Sequence, residues 1–189
     1  MRQHTTRSIN TRGNPQADVG SDTYAVSCGR FSPFHRGHEA VVRRMLDIYG
    51  EKRSCLVIGS SNAPLSERDY FTADERRSFI LKIFPHIPTV FAPDYESDDQ
   101  WLRELDAGIV KLGINPERAR YFAGSIEDVP FFFRADREVV IVDRYDGTTP
   151  VISGTEVRKA LMRGAPIDGL VNPIIEPHIR ALFRTRDLP

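Results

Sequence analysis

Residues 24–38 read YAVSCGRFSPFHRGH. The first five are small or apolar and β-prone, and Gly29 follows them, which predicts a short buried strand. A loop containing Pro33 comes next, and from Gly37 apolar residues recur at helical spacing as far as Tyr49. A buried strand that runs through a short loop into a helix is the first half of a β-α-β unit. The stretch therefore predicts an α/β protein with parallel strands.

The same alternation of strand and helix continues along the chain. We expect strands at 24–28, 55–58, 89–92, 120–123 and 139–142. We expect helices at 37–49, 72–84, 100–112, 153–163 and 174–183. The predicted fold is a Rossmann-like, doubly wound parallel sheet in a single domain over residues 24–189, with a small C-terminal helical part. Residues 1–23 are expected to form a flexible N-terminal tail.

Helix caps mark two of the places where function is expected. Capping boxes, in which Ser or Thr is followed three residues later by Glu, occur at 72–75 and 153–156. Asp98 or Asp99 is expected to cap the helix between them. In open parallel sheets ligands bind outside the carboxyl ends of the strands. The loop after the first strand and the cap at Ser153 are therefore the candidate binding segments.

Composition limits the class of protein. The chain has 189 residues, with 26 basic and 26 acidic side chains and a formal net charge of zero, so it lacks the basic surplus of a nucleic-acid-binding domain. No apolar run reaches the roughly 18 residues of a membrane span. Cys28 and Cys55 lie in apolar runs and are expected to be reduced core residues. We expect a cytoplasmic protein that binds neither nucleic acid nor membrane.

The loop after the first predicted strand carries groups that suit a phosphate ligand. Gly29 lets a phosphate approach the backbone, and Arg30 can bind two phosphate oxygens at once. His35 and His38 can lie on one face of a helix that begins there, where Gly37 exposes N–H groups to an anion. A His-x-x-His pair can also belong to a metal site. No Cys or carboxylate stands at zinc-ligand spacing, however, so we expect no metal held by protein ligands.

Two motifs carry a resemblance to a known superfamily. Residues 29–38 resemble the G-x-F-x-P-x-H-x-G-H signature of the HxGH nucleotidyltransferases. A second signature of that superfamily, S-G-T-x-x-R, is matched within residues 152–158, which read ISGTEVR. The two motifs occur in the expected order and far apart in the sequence. The chain is therefore identified as similar to this superfamily.

The segments between the motifs narrow the resemblance. GSSN at 59–62 and RDYFTADER at 68–76 resemble the archaeal-type nicotinamide mononucleotide (NMN) adenylyltransferases and their bacterial relatives fused to a Nudix hydrolase. DDQWL at 98–102 resembles the segment in which those enzymes place a Trp against the nicotinamide ring. The resemblance covers about residues 24–183.

The resemblance implies a set of site residues. The residues with implied catalytic roles are His35, His38, Arg30 and Arg158. The residues implied to bind ATP are Gly29, Phe31, Gly37, Arg68, Ser153, Gly154 and Thr155. The residues implied to bind the acceptor are Trp101, Ser60, Asn62, Gly124 and Ser125. Relatives often have Gly-Asn where this chain has Gly124-Ser125.

Some of these residue types also have purely structural interpretations. Trp101 is the only Trp of the chain, and at a helix start it could instead be a core residue. Arg68 lies in a predicted loop, where a solvated charge is common. Arg76 and Arg77 are expected on a helix surface or in an internal ion pair, outside the site.

The implied reaction is transfer of AMP from ATP to NMN, giving NAD and pyrophosphate, with Mg²⁺ on the phosphates and water as most of its other ligands. Nicotinate mononucleotide is a further possible acceptor. A second hypothesis is an adenylyl- or cytidylyltransferase for another phosphorylated acceptor, such as pantetheine phosphate. A third is a nucleotide sensor without activity on the same fold. The resemblance also implies a homo-oligomer as the assembly.

Overall fold

The computed structural model describes residues 22–142 and 150–185, and the predicted tail lies almost entirely outside them. Its centre is a five-stranded sheet with the order β3-β2-β1-β4-β5, in which all neighbours are parallel. The strands are β1 Tyr24–Gly29, β2 Ser54–Ile58, β3 Thr89–Phe91, β4 Ala119–Ala123 and β5 Glu138–Ile141. The predicted Rossmann-like α/β fold is therefore confirmed.

Six helices flank the sheet in the described part of the chain. They are α1 Arg36–Tyr49, α2 Ala73–Ile83, α3 Asp98–Val110, α4 Pro130–Arg134, α5 Gly154–Met162 and α6 Glu176–Arg184. Short 3-10 turns cover Glu51–Arg53, Pro116–Arg118 and Ile126–Asp128.

Two hydrophobic clusters, one on each face of the sheet, hold these layers together. Buried residues of α1, α2, α5 and α6 form the first cluster, and those of α3 and α4 form the second. Successive residues of β1 alternate between them, since Ala25 belongs to the first and Val26 to the second. This alternation follows from the two-residue side-chain period of a strand, and it makes the sheet doubly wound.

The strand order places the functional edge of the sheet. From β1 the chain continues to β2 and β3 on one side, and β4 then returns to the other side of β1. The carboxyl ends of β1 and β4 thus flank a switch point, where the connections leave in opposite directions and open a crevice. The loop that begins at Gly29 lies at this crevice.

Three local predictions are corrected, and one helix was missed. The cap of α3 is Ser97, whose Oγ accepts the Gln100 N–H at 3.2 Å, and not Asp98 or Asp99, which lie inside the helix. At α5 Ser153 caps the helix, but Glu156 does not complete the box. The last helix begins at Glu176, two residues later than expected. The short helix α4 was not predicted.

Both cysteines are free thiols, as expected: Cys55 is buried and Cys28 is half-buried. Burial raises the pKa of the Cys55 thiol to about 12 and also raises that of Cys28. Within the described ranges, no helix is long and apolar enough to cross a membrane.

Candidate active site

A cavity of about 580 Å³ opens at the carboxyl ends of β1, β2 and β4. All but two of the predicted site residues line it. Those that line it are Gly29, Arg30, Phe31, His35, Gly37, His38, Ser60, Arg68, Trp101, Gly124, Ser153, Gly154, Thr155 and Arg158. The two motifs, which are distant in sequence, therefore contribute to one cavity.

The two histidines cap the helix that they begin. His35 is the N-cap of α1, and its Nδ1 accepts the backbone N–H of His38 at 3.3 Å. The Nδ1 of His38 in turn accepts the N–H of His35 at 3.4 Å. The rings stack with centroids 3.6 Å apart. Because each Nδ1 is an acceptor, each neutral ring carries its proton on Nε2, so each histidine has an Nε2–H group available as a donor.

Phe31 supports these rings from the side. It is buried, and its ring meets the His38 ring edge-on with centroids 5.0 Å apart. Its backbone is left-handed, with φ of 53°. A Cβ on Gly29 would lie 2.9 Å from the Phe31 ring, so the turn requires glycine at that position. Phe31 thus lines the predicted ATP site mainly as a packing residue.

The second motif is joined directly to the first. Nη1 of Arg158 donates to the carbonyl oxygen of Ser32 at 2.5 Å, and Nη2 donates to Oγ1 of Thr155 at 3.1 Å. A Cβ on Gly154 would lie only 2.9 Å from the same Ser32 oxygen, so the first turn of α5 packs against the loop backbone. The Ser153 Oγ caps α5 by accepting the Glu156 N–H at 3.1 Å. The amino ends of α1 and α5 therefore both reach the cavity.

Three guanidinium groups make the cavity cationic. Burial lowers the pKa of Arg158, and the positive charges of Arg30 and Arg68 lower it further. Nη1 of Arg30 lies 3.9 Å from the Asp69 carboxylate, which offsets part of the repulsion. Cations held together in this way favour a polyanionic ligand, because the anion relieves their repulsion.

Arg76 corrects a prediction. It is only 1% exposed, and no carboxylate accepts its described hydrogen bonds. Nη1 donates to the carbonyl oxygens of Arg30 at 2.6 Å and Gly59 at 2.7 Å, and Nη2 donates to that of Ser60 at 3.0 Å. The side chain therefore joins the loops after β1 and β2 beneath the cavity, instead of lying on a helix surface or in an ion pair. Arg77 is exposed, as expected.

The predicted acceptor side contains Trp101 and Gly124. The Trp101 ring is half-buried, and the Phe131 ring of α4 meets it edge-on with centroids 4.7 Å apart. Trp101, Phe131 and Gly124 all line the cavity. Trp101 therefore packs on a neighbouring ring and also lines the cavity. Its contact with a nicotinamide ring stays a prediction.

Asn62 and Ser125 are not among the residues that line the cavity. The Asn62 side chain donates to the Asp94 carbonyl at 3.2 Å and accepts the Asp94 N–H at 2.7 Å. The Ser125 Oγ accepts the N–H of Glu127 at 3.2 Å and caps a 3-10 turn. Short polar side chains often bind nearby backbone in this way. In the structure both side chains bind backbone groups of loops. That these two residues contact the acceptor stays a prediction.

Several lining residues escaped the sequence analysis. Asp94 follows the carboxyl end of β3. Because ligands of parallel sheets bind outside the carboxyl ends of the strands, this rule could have predicted Asp94 as well as the loop after β1. Phe131 begins a run of three phenylalanines, which indicated an aromatic cluster without showing its partner. No local sequence signal showed that Arg76 would reach two loops across the fold.

The residues of the cavity fit one kind of metal site. Among the described residues, no three His, Cys, Asp or Glu side chains are grouped so that they could hold a metal ion. Within residues 22–142 and 150–185, Asp94 is the only carboxylate that lines the cavity. Such a donor set fits Mg²⁺ carried by phosphate oxygens and water, and it does not fit a cage of protein ligands.

Comparisons with known proteins show which family the sequence matches. The sequence profile of the family described as Cytidylyltransferase-like matches residues 26–160. The chain is 28% identical over 156 residues to a phosphopantetheine adenylyltransferase of Cupriavidus taiwanensis, and the match covers 80% of this chain and 91% of that protein. It is 26% identical over 164 residues to a nicotinamide-nucleotide adenylyltransferase of Methanosphaerula palustris, covering 84% of this chain and 90% of that protein.

Solved structures show the same fold. A bifunctional NMN adenylyltransferase/ADP ribose pyrophosphatase from Francisella tularensis matches with a TM-score of 0.67 at 19% identity. The match covers 86% of this chain and 51% of that one, so this chain spans about half the length of the bifunctional protein. A second structure of the Francisella protein holds AMP and a manganese ion. A putative nicotinate-nucleotide adenylyltransferase from Vibrio parahaemolyticus matches with a TM-score of 0.58 at 16% identity, covering 87% of this chain and 97% of that one.

Proposed function

The chain belongs to the cytidylyltransferase-like family, and from that premise we propose that it is an adenylyltransferase that transfers AMP from ATP to NMN, forming NAD and pyrophosphate. The observation that carries the proposal is the junction of the two motifs. The stacked histidines of the first motif and Arg158 of the second line one cationic cavity, and Arg158 donates to the first motif's own backbone. This arrangement supports a triphosphate as the ligand.

The proposed chemistry needs no general base. An oxygen of the acceptor phosphate is already anionic, and it attacks the α-phosphorus of ATP as the bond to the pyrophosphate breaks. Catalysis is then mainly positioning and charge stabilisation. The Nε2–H groups of His35 and His38 donate to phosphate oxygens, and these bonds strengthen as negative charge builds on the leaving group.

Other groups stabilise the pyrophosphate as it leaves. Arg30, Arg68 and Arg158 supply positive charge, and the amino ends of α1 and α5 supply backbone N–H groups. Bound Mg²⁺ would neutralise part of the phosphate charge and would be held by the triphosphate and water. A divalent cation, a homo-oligomeric state and a cytoplasmic location stay predictions.

The acceptor assignment rests on Trp101. A mononucleotide with a pyridinium ring presents a flat cation, and the face of an indole ring attracts such a cation. Pantetheine phosphate has no ring that Trp101 could stack on. The sequence similarity to a phosphopantetheine adenylyltransferase nevertheless makes pantetheine phosphate the second candidate acceptor.

An acceptor panel tests the proposal. ATP and CTP are each combined with NMN, nicotinate mononucleotide and 4′-phosphopantetheine, and pyrophosphate release is measured together with the mass of the product. We expect the highest kcat/KM with ATP and NMN, and a product with the mass of NAD. A higher kcat/KM with phosphopantetheine would establish the second candidate. Nucleotide binding without pyrophosphate release from any pair would indicate a sensor.

A further inference from the structure

Among the residues that the structure describes, Asp94 is the only carboxylate that lines the cavity, and neither motif contains it. We propose that this carboxylate sets the charge selectivity of the acceptor site, favouring a pyridinium mononucleotide with a neutral amide over one with a carboxylate on the ring. The inference rests on the proposed function, because it names which mononucleotide the same site prefers.

The position of Asp94 is fixed from two sides. Its backbone N–H and carbonyl are both bound by the Asn62 side chain, at 2.7 and 3.2 Å. Its Oδ1 accepts the hydroxyl of Ser60 at 3.0 Å. Asp94 is exposed, yet three hydrogen bonds from the loop after β2 hold it in place. Asn62 and Ser60, both predicted as acceptor contacts, are therefore positioning residues that act through Asp94.

The loop that holds Asp94 is itself conformationally restricted. Ser60 has a left-handed backbone, with φ of 49°, which is uncommon for a residue with a Cβ. Its carbonyl oxygen accepts from the buried guanidinium of Arg76. Outliers of this kind persist only where the surroundings hold them, and they cluster at ligand sites. The Ser60 hydroxyl thus has a defined direction toward Asp94.

The other charged side chains that line the cavity in the described part of the chain are positive. Arg30, Arg68 and Arg158 line the same cavity. A cavity lined only by cations would favour the more anionic of two related mononucleotides, which is nicotinate mononucleotide. The Asp94 carboxylate reverses that preference, because it attracts the pyridinium ring and the N–H groups of the amide and repels a ring carboxylate.

The experiment measures binding and turnover in Asp94→Asn. Asparagine keeps the shape of the side chain, the backbone bonds to Asn62 and an acceptor for Ser60, but it removes the charge. Trp101 is the only Trp of the chain, so its fluorescence reports the dissociation constants of NMN and nicotinate mononucleotide directly. The kcat/KM for each acceptor is measured in parallel by pyrophosphate release.

We expect the wild type to prefer NMN, and Asp94→Asn to reduce that preference by roughly tenfold, mainly through tighter binding of nicotinate mononucleotide. The KM for ATP should stay within about twofold of wild type. Glu96→Gln is the matched control, because it removes an equal charge from the same loop at an exposed residue that does not line the cavity.

Two results would overturn the inference. One is a preference for NMN over nicotinate mononucleotide in Asp94→Asn that stays within twofold of the wild-type preference. The other is a change of this preference in Glu96→Gln as large as that in Asp94→Asn, which would indicate a general effect of charge. Failure of the proposed function gives a different result, in which the wild type adenylylates neither mononucleotide. That result would refute both statements, whereas turnover of both acceptors with an unchanged preference would refute the role of Asp94 alone.

Discussion

The two nitrogens of the His38 ring separate an observed contact from a proposed one. Nδ1 accepts the His35 N–H and so helps to cap α1, which leaves Nε2–H as the donor for phosphate. Asparagine can reproduce the Nδ1 acceptor but not the Nε2 donor. We predict that His38→Asn lowers kcat by about 10²–10³, the scale for loss of one preorganised donor. Steady-state pyrophosphate release measures kcat, and thermal melting checks the fold.

His38→Gln is the matched variant. Its amide extends toward the Nε2 position and can supply a donor there, but it does not replace the Nδ1 acceptor that caps α1. It should retain more of the kcat than His38→Asn while melting at a lower temperature. Equal loss of kcat in both variants, in proportion to the loss of stability, would show that His38 is a capping residue only.

The two interpretations of Trp101 are separated by comparing two KM values. The ring contacts Phe131 and also lines the cavity, so truncation affects both packing and binding. We predict that Trp101→Ala raises the KM for NMN at least tenfold and the KM for ATP by less than about threefold, whereas Trp101→Phe restores much of the NMN affinity. Equal changes in the two KM values would indicate a packing residue.

Prediction at the residue scale succeeded where a side chain acts within its own motif. The place of His35, His38 and Arg158 at the cavity could be predicted because their motifs are local in sequence, whereas their roles stay predictions. Arg76 could not, because the carbonyl groups that it binds lie in two loops brought together only by the sheet. Asn62 was placed in the correct loop, but its partner Asp94 belongs to a different segment.

At the scale of elements, the contact between α5 and the loop after β1 joins the two motifs. Gly154 permits this contact, because a Cβ there would lie 2.9 Å from the Ser32 carbonyl oxygen. We predict that Gly154→Ala lowers kcat/KM for ATP at least tenfold, although alanine favours helix formation. The displaced α5 would carry Arg158 away from the phosphates. Steady-state kinetics with varied ATP measures this effect.

Lys159→Ala provides the control in the same helix, because Lys159 is exposed and does not line the cavity. Its kcat/KM should stay within about twofold of wild type. Wild-type kcat/KM in Gly154→Ala would mean that the close packing of α5 on the loop has no role in ATP use.

Elements with strong periodicity or clear caps were predicted almost to their ends. The sequence signals for β1 to β5 and for α1, α2 and α5 lie within each element. They therefore predict the bounds of these elements without information from the rest of the fold. The short α4 escaped because Pro130–Arg134 has too few residues for a helical period, and its Phe132 is buried against the sheet. The error at the α3 cap arose from three consecutive residues that can all act as caps.

For the whole molecule, the packing of α6 on α2 makes stability depend on pH. The His178 ring meets the Phe79 ring edge-on with centroids 5.3 Å apart. Burial lowers the pKa of His178, Lys82 lowers it further, and Glu75 opposes them. The unfolded chain therefore binds this proton more readily than the folded one, and the free energy of unfolding falls as pH drops below about 6.5 toward the lowered folded pKa.

We predict that His178→Gln removes this step. Urea denaturation at pH values from 5 to 8 gives the free energy of unfolding of both proteins, and their difference isolates the histidine. The wild type should lose more stability than the variant on acidification from pH 7. Parallel curves for the two proteins would contradict the assignment.

The proposed activity requires the fold to bring two distant motifs to one triphosphate. A crystal structure with a non-hydrolysable ATP analogue tests this most directly. We predict that the analogue occupies the cavity at the carboxyl ends of β1, β2 and β4, with a His38 nitrogen and the Arg158 guanidinium within hydrogen-bonding distance of its phosphates. A triphosphate bound outside this cavity, or one that contacts residues of a single motif only, would contradict the account.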